Sequence, residues 1–157
     1  MTEFNGCPGS GMQDFRATAT AEEGATGKVK SQLQQWPIQM HLISPLAPYY
    51  QGADVLLTAD CVAYALGGFH PEYLKGKAIG IACPKLDEGQ DVYVEKIKSW
   101  LDDAKINTLT VMIMQVPCCR GLLATAQKAV QQAKRKVPVK AIVVGLHGEI
   151  LTEEWVQ

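Results

Sequence analysis

One stretch of ten residues constrains this chain more than any other: Val111–Arg120, VMIMQVPCCR. An apolar run of strand character stops at a proline. Two adjacent cysteines follow, and a helical pattern opens behind them. Two more apolar runs end in the same way, Val55–Cys61 (VLLTADC) and Ala78–Pro84 (AIGIACP). Unbroken apolar runs mark strands buried on both faces, as in parallel sheets. In such sheets ligands gather beyond the carboxyl ends of the strands. Three strand ends that each deliver a cysteine predict one shared thiolate site at that rim.

The rest of the chain fits this frame. Ile38–Ser44, after Trp36-Pro37, reads as a first strand, stopped by Pro45 and Pro48. Tyr49 and Tyr50 follow in a short helix or turn closed by Gly52. Val55–Ala59 and Ala78–Ala82 are the second and third strands, with a short helical piece at Val62–Leu66 between them. Gln90–Ala104 places Val94, Ile97, Trp100-Leu101 and Ala104 at helical spacing. Leu109–Val116 is the fourth strand, and a helix runs from Arg120 to Arg135 with cations in its last turn. Ala141–Val144 is the fifth strand, and Glu149–Gln157 reads as a short helix. Strands alternating with helices predict an α/β fold. The expected architecture is a three-layer α/β/α sandwich on a mostly parallel sheet of about five strands, flavodoxin- or Rossmann-like. Residues 1–31 read as an N-terminal arm, with a CPGS turn and a flexible linker, and 32–157 as the α/β domain.

Composition narrows the function. A formal net charge of −1 provides no basic field for nucleic acid and no polybasic membrane patch. No apolar run approaches the roughly 20 residues that span a bilayer. The N-terminus lacks the charged and apolar regions of a signal peptide. The expectation is a cytoplasmic protein, where thiols stay reduced and clustered cysteines bind metal or do redox chemistry. Five cysteines fit four ligands plus one spare at least as well as a disulfide set.

Cys61, Cys83 and the Cys118–Cys119 pair fall just past three strands. Parallel neighbours lie about 4.8 Å apart, so equivalent strand ends bring sulfurs within reach of one small centre. Cys7, in the CPGS turn, is positioned in sequence to close the set from the arm. Cys118 is the slightly favoured ligand of the pair, being nearer the strand. Four thiolates suit zinc or an iron–sulfur cluster. The pair also sits at a helix start, whose free N–H groups favour a thiolate. A metal-free thiol enzyme using Cys118 or Cys119 is therefore a further alternative. The bland reading is that free cysteine is a small buried hydrophobe. Three at corresponding strand ends weaken it.

Other candidates read more plainly. His147 follows the fifth strand as a loop histidine, and His70 and His41 read as structural. Asp60 either tunes the site or caps the next helix. Lys85 and Asp87 read as a solvated loop, with anion or partner binding as the alternative. Met112 and Met114 read as core, and Tyr49, Tyr50 and Tyr64 as aromatic packing or walls of the site. No GxGxxG follows a strand and no phosphate loop, GxSxG or HExxH is present.

The segment from Trp36 to Asp87, continued by INTLTVMIMQVPCCRGL and VPVKAIVVGLHGEIL, together with Cys7–Ser10, resembles the C-terminal α/β domain of ferredoxin-like iron–sulfur proteins of anaerobes. More distantly, the layout around GADVLLTADC is similar to the small iron–sulfur subunit of certain hydrogenase complexes. The usual N-terminal dicluster ferredoxin module, with its CxxCxxCxxxC runs, is missing here. The resemblance implies a cluster, of the 4Fe–4S type, on Cys7, Cys61, Cys83 and Cys118 or Cys119. It implies electron transport to or from a redox partner protein rather than a stand-alone enzyme. A structural zinc-binding or metal-handling domain is the alternative. No nucleic-acid or membrane partner is expected, and a homo-oligomer is compatible with the sequence.

Overall fold

The computed structural model describes residues 8–17 and 27–157. A two-stranded ribbon, β1 (Gln13–Asp14) and β2 (Gln35–Trp36), ties the arm to the domain. The main sheet has five strands: β3 (Asp54–Ala59), β4 (Ala78–Ala82), β5 (Thr108–Met114), β6 (Val139–Val144) and β7 (Ile150–Trp155). Their order is β4-β3-β5-β6-β7, with the first four parallel and β7 antiparallel to β6. Among the described residues three α-helices accompany them: α1 (Val62–Ala65), α2 (Asp91–Asp102) and α3 (Arg120–Gln132). The expected α/β sandwich is thus the observed fold.

The strand register explains the layering. Leu57, Gly80, Val111 and Ala141 are level with one another and share one face. A Cβ on Gly80 would lie 2.8 Å from both Met40 Sδ and Trp100 Cη2. The indole of α2 therefore rests directly on the strand backbone, and glycine is what permits it. Helix α3 packs beside α2 on this face. Leu56, Thr110 and Lys140 form a level row on the opposite face. There α1 and a π-helical turn, Phe69–Leu74, supply the third layer, with Val62, Phe69 and Leu74 buried. Trp100, Tyr50, Tyr93, Ile97 and Leu101 are among the residues of the core. Burying each side chain of this size contributes about 1.5–3 kcal/mol.

The segment expected as the first strand, Ile38–Ser44, is not one. It makes a single parallel bridge, Gln39 to Ile81, and then turns. Leu42 and Ile43 both donate their N–H to Gln39 O, at 2.8 and 3.0 Å. Met40 and Ile43 are buried while Leu42 is exposed, a spacing of three rather than two. Prolines on both sides, Pro37 and Pro45, leave room for a turn but not a ladder. The segment nevertheless protects the β4 edge: Ile81 N–H donates to Ile38 O (2.8 Å) and Met40 N–H to Ile81 O (3.0 Å). The amide of Gln35, 1% exposed, completes the seal. It accepts from Ile79 N–H and donates to Ile79 O, both at 2.8 Å.

The expected C-terminal helix, within Glu149–Gln157, is instead strand β7. Gly148, at φ +82°, turns the chain back after β6. Cross-strand pairs then hold it: Lys140 Nζ lies 2.8 Å from Glu153 Oε1 and 4.7 Å from the centre of the Trp155 ring.

Candidate functional site

Renumbered from the first parallel strand, the sheet order is 2-1-3-4-5, the doubly wound order in which connections leave β3 on opposite sides. The switch point therefore lies between β3 and β5. Two loops flank it. One carries Asp60 and Cys61 into α1; the other carries Gln115–Cys119 into α3. The sequence places a cysteine in each.

Pro117 opens a 3₁₀ turn, Pro117–Cys119, that runs straight into α3. Its fixed φ suits the first position of a helical turn, where no N–H is needed. Cys119 N–H donates to Val116 O at 3.2 Å. Cys118 is exposed and Cys119 buried. The neighbouring sulfurs of Cys118 and Cys61 both act on the Cys119 thiol. Burial pushes the Cys119 thiol up, and its sulfur neighbours push the same way, against a backbone hydrogen bond from Met114. Cys61, at the start of α1, is exposed. All four described cysteines are free thiols.

Cys83 lies on the other side of β3 in a different environment. Its N–H donates to Asp87 Oδ2 at 3.0 Å, and Asp87 N–H returns to Cys83 O at 3.0 Å. Tyr93 Oη donates to the same Asp87 oxygen at 2.5 Å. Gln90 Nε2 donates to Pro84 O and Asp87 O, at 2.8 and 2.9 Å. Burial raises the Tyr93 hydroxyl first, and the Asp87 hydrogen bond and charge add to it. Burial likewise raises the Asp60 carboxyl, reinforced by Asp87 and opposed by the amide of Gln39. That amide lies 3.4 Å from Asp60 Oδ1. Asp60 makes no cap on α1, so the capping role expected from sequence is not the one it plays.

The two loops outside β3 meet. A Cβ on Gly121, in the first turn of α3, would lie 3.1 Å from Pro84 Cβ. The rim is tied on its other side too, where Leu146 N–H donates to Gln115 Oε1 at 2.8 Å. The structure thus places Cys61 and the Cys118–Cys119 pair in the two loops that flank the switch point, and Cys83 beside a carboxylate network. Cys7 lies outside the described residues. Among those residues, no three His, Cys, Asp or Glu side chains stand close enough together to hold a metal ion.

The histidines are structural or peripheral. His70 Nδ1 accepts from Gln32 N–H at 3.0 Å, and His41 Nε2 donates to Glu88 O at 2.6 Å with its ring against Tyr93. His147 is exposed in the loop after β6. Met112, Met114, Tyr49 and Tyr50 are core, whereas Tyr64 projects into solvent. Asp87 is the residue that sequence reasoning undervalued. Its signal was the spacing: a carboxylate four residues after Cys83, across a proline, reaches back to the orphan N–H of its own turn.

No helix among the described residues is long and apolar enough to cross a membrane. The loop after β3, Ala59-Asp60-Cys61-Val62, has none of the glycines that let a pyrophosphate approach a helix start. This rim therefore lacks that dinucleotide fingerprint, and it exposes the thiols of Cys61 and Cys118. A relative from Archaeoglobus fulgidus, itself described as an uncharacterized protein, is 27% identical over 121 residues, 76% of this chain and 83% of its own. No solved structure matches. The model of the Rossmann-like domain family matches residues 47–157, which include every cysteine-bearing loop described here. By that match, and in keeping with its doubly wound sheet, the chain belongs to the Rossmann-like domain family.

Proposed function

We propose that this protein is a small redox protein or redox subunit that holds an iron–sulfur cluster at the carboxyl rim and exchanges electrons with a partner protein. The observation that carries the reading is the placement of Cys61 and the Cys118–Cys119 pair on either side of the switch point. A sulfur-only donor set is soft and selects thiophilic centres. Cys61 and Cys118 would be ligands, with Cys83 and Cys7 completing the set. Gly9 O, two residues beyond Cys7, accepts from Trp36 Nε1 at 2.5 Å, which anchors the arm near the segment that seals β4.

When bound, such a cluster supplies one-electron exchange. The chain's part is to orient the thiolates, to keep the sheet side of the site dry, and to offer a face to the partner. The cysteine-bearing loops and their neighbours expose large apolar side chains: Tyr64 is 94% exposed, Leu86 80% and Leu146 59%. Exposed apolar groups around a rim of this kind suit transient protein contact.

A single zinc ion fits less well. Zinc needs donors at about 2.0–2.3 Å in a closed tetrahedron, and no three donors among the described residues stand close enough together. A cluster is larger and accepts sulfurs further apart. A metal-free thiol enzyme is weakened because burial raises the Cys119 thiol instead of activating it.

Purification under strict exclusion of oxygen tests the proposal. The expected result is a brown protein with iron and acid-labile sulfide in equal amounts, both lost in Cys61→Ser. A colourless protein that takes up neither on anaerobic reconstitution overturns it.

A further inference from the structure

Cys118 and Cys119 form a unit of their own. They are adjacent in sequence and both free, and Cys118 is near enough to help push the Cys119 thiol up. Pro117 and the Cys119-to-Val116 hydrogen bond fix the turn that carries them. Cys118 is exposed and Cys119 is 5% exposed. No third His, Cys, Asp or Glu among the described residues joins them as a donor group. A tetrahedral or hard ion is left unsatisfied by two sulfurs, whereas a soft centre of low coordination number is not.

We propose that the Cys118–Cys119 pair is a two-sulfur chelate for a soft centre that takes two thiolates, either a monovalent d¹⁰ ion such as copper(I) or a monosubstituted trivalent arsenical. The exposed Cys118 sulfur receives the incoming centre, and the buried Cys119 sulfur closes the chelate. The turn is already formed, so little conformational freedom is lost on binding. The first N–H groups of α3 face the negative charge that two thiolates bring.

The step balances without any change of oxidation state. Two S–H bonds break and two sulfur–centre bonds form. With copper(I) the two protons pass to solvent; with an arsenical oxide they leave with its oxygen as one water. The inference needs neither Cys7 nor Cys83 and does not rest on the iron–sulfur reading.

The test uses the full chain, reduced and freed of iron, with two probes: phenylarsine oxide, and copper(I) buffered by a competing chelator. One probe molecule per chain is expected, displaced by a dithiol but not by a monothiol. Cys118→Ser is expected to weaken binding by about 100-fold or more, because the second contact of a chelate is lost. Cys61→Ser and Cys83→Ser are expected to bind as the parent does. Cys118 is exposed, so its variant tests the chelate even if Cys119→Ser fails to fold. Binding of either probe in this pattern supports the chelate, and which of the two binds identifies the ligand. Unchanged affinity in Cys118→Ser, or an equal loss in Cys61→Ser, overturns it. Iron and sulfide loading in the same variants keeps this outcome apart from that of the cluster. A failed chelate with iron retained leaves the cluster reading standing, and the reverse result leaves the chelate standing.

Discussion

The two sides of the rim are built from different chemistry. On the β4 side, Cys83 is held by oxygen: Asp87 takes hydrogen bonds from the Cys83 N–H and the Tyr93 hydroxyl, and Asp60 stands close by. On the β5 side, sulfur and backbone do the holding, with Cys118 and Cys119 in a proline-led turn at the head of α3. The first side is cross-linked and partly buried. The second offers an exposed thiol over a buried one. The contrast suits two tasks: structural support on the side of the carboxylate network, and the proposed ligand capture on the side of the thiol pair.

Removing the carboxylate should break the comparison most strongly. Asp87→Ala leaves the Cys83 N–H and the Tyr93 hydroxyl without their acceptor, and hydrogen bonds to charged groups are worth about 1.5–3 kcal/mol. A loss of about 2–3 kcal/mol in denaturant unfolding is expected. A loss below about 0.5 kcal/mol, the range of ordinary surface changes, would remove the network's structural role.

The pH response should sharpen it. Asp60 is raised in the folded protein, first by burial and then by Asp87. A carboxyl raised on folding favours the folded state below its unfolded value of 3.8 and loses that contribution as pH rises through the folded value. Asp60→Asn should therefore gain stability at neutral pH relative to the parent, with the gap closing as pH falls toward 3.8. Thermal unfolding across that range is the measurement, and a gap that widens in acid would reverse the assignment.

The smallest effect belongs to the other side. Cys118→Ala removes an exposed thiol and should change stability by less than about 0.5 kcal/mol while abolishing chelation. A large loss of stability there would erase the division between the two sides.

Much of this architecture was legible in the residues. Val55–Ala59, Ala78–Ala82 and Leu109–Val116 are mostly apolar runs, the pattern of strands covered on both faces, and strands form there. Ile38–Ser44 also reads as a strand, but it sits between prolines and turn geometry wins there. In β7 the cross-strand partners Lys140 and Trp155 decide the outcome, and those are set by pairing and not by local pattern. The cysteines were legible as strand-end residues. Their spatial arrangement was not, because it depends on strand order: β3 lies between β4 and β5, and the segments after those two strands meet at Pro84 and Gly121. The role of Asp87 was hidden for the same kind of reason, since Tyr93 reaches it only once α2 has docked.

The bare backbone at Gly121, lying against Pro84, has a mechanical consequence. A Cβ at Gly121 would press within 3.1 Å of Pro84, so the lip after β4 and the head of α3 close on each other like a clamped jaw. A substituent at that spot would meet Pro84 first and act as a wedge between the two.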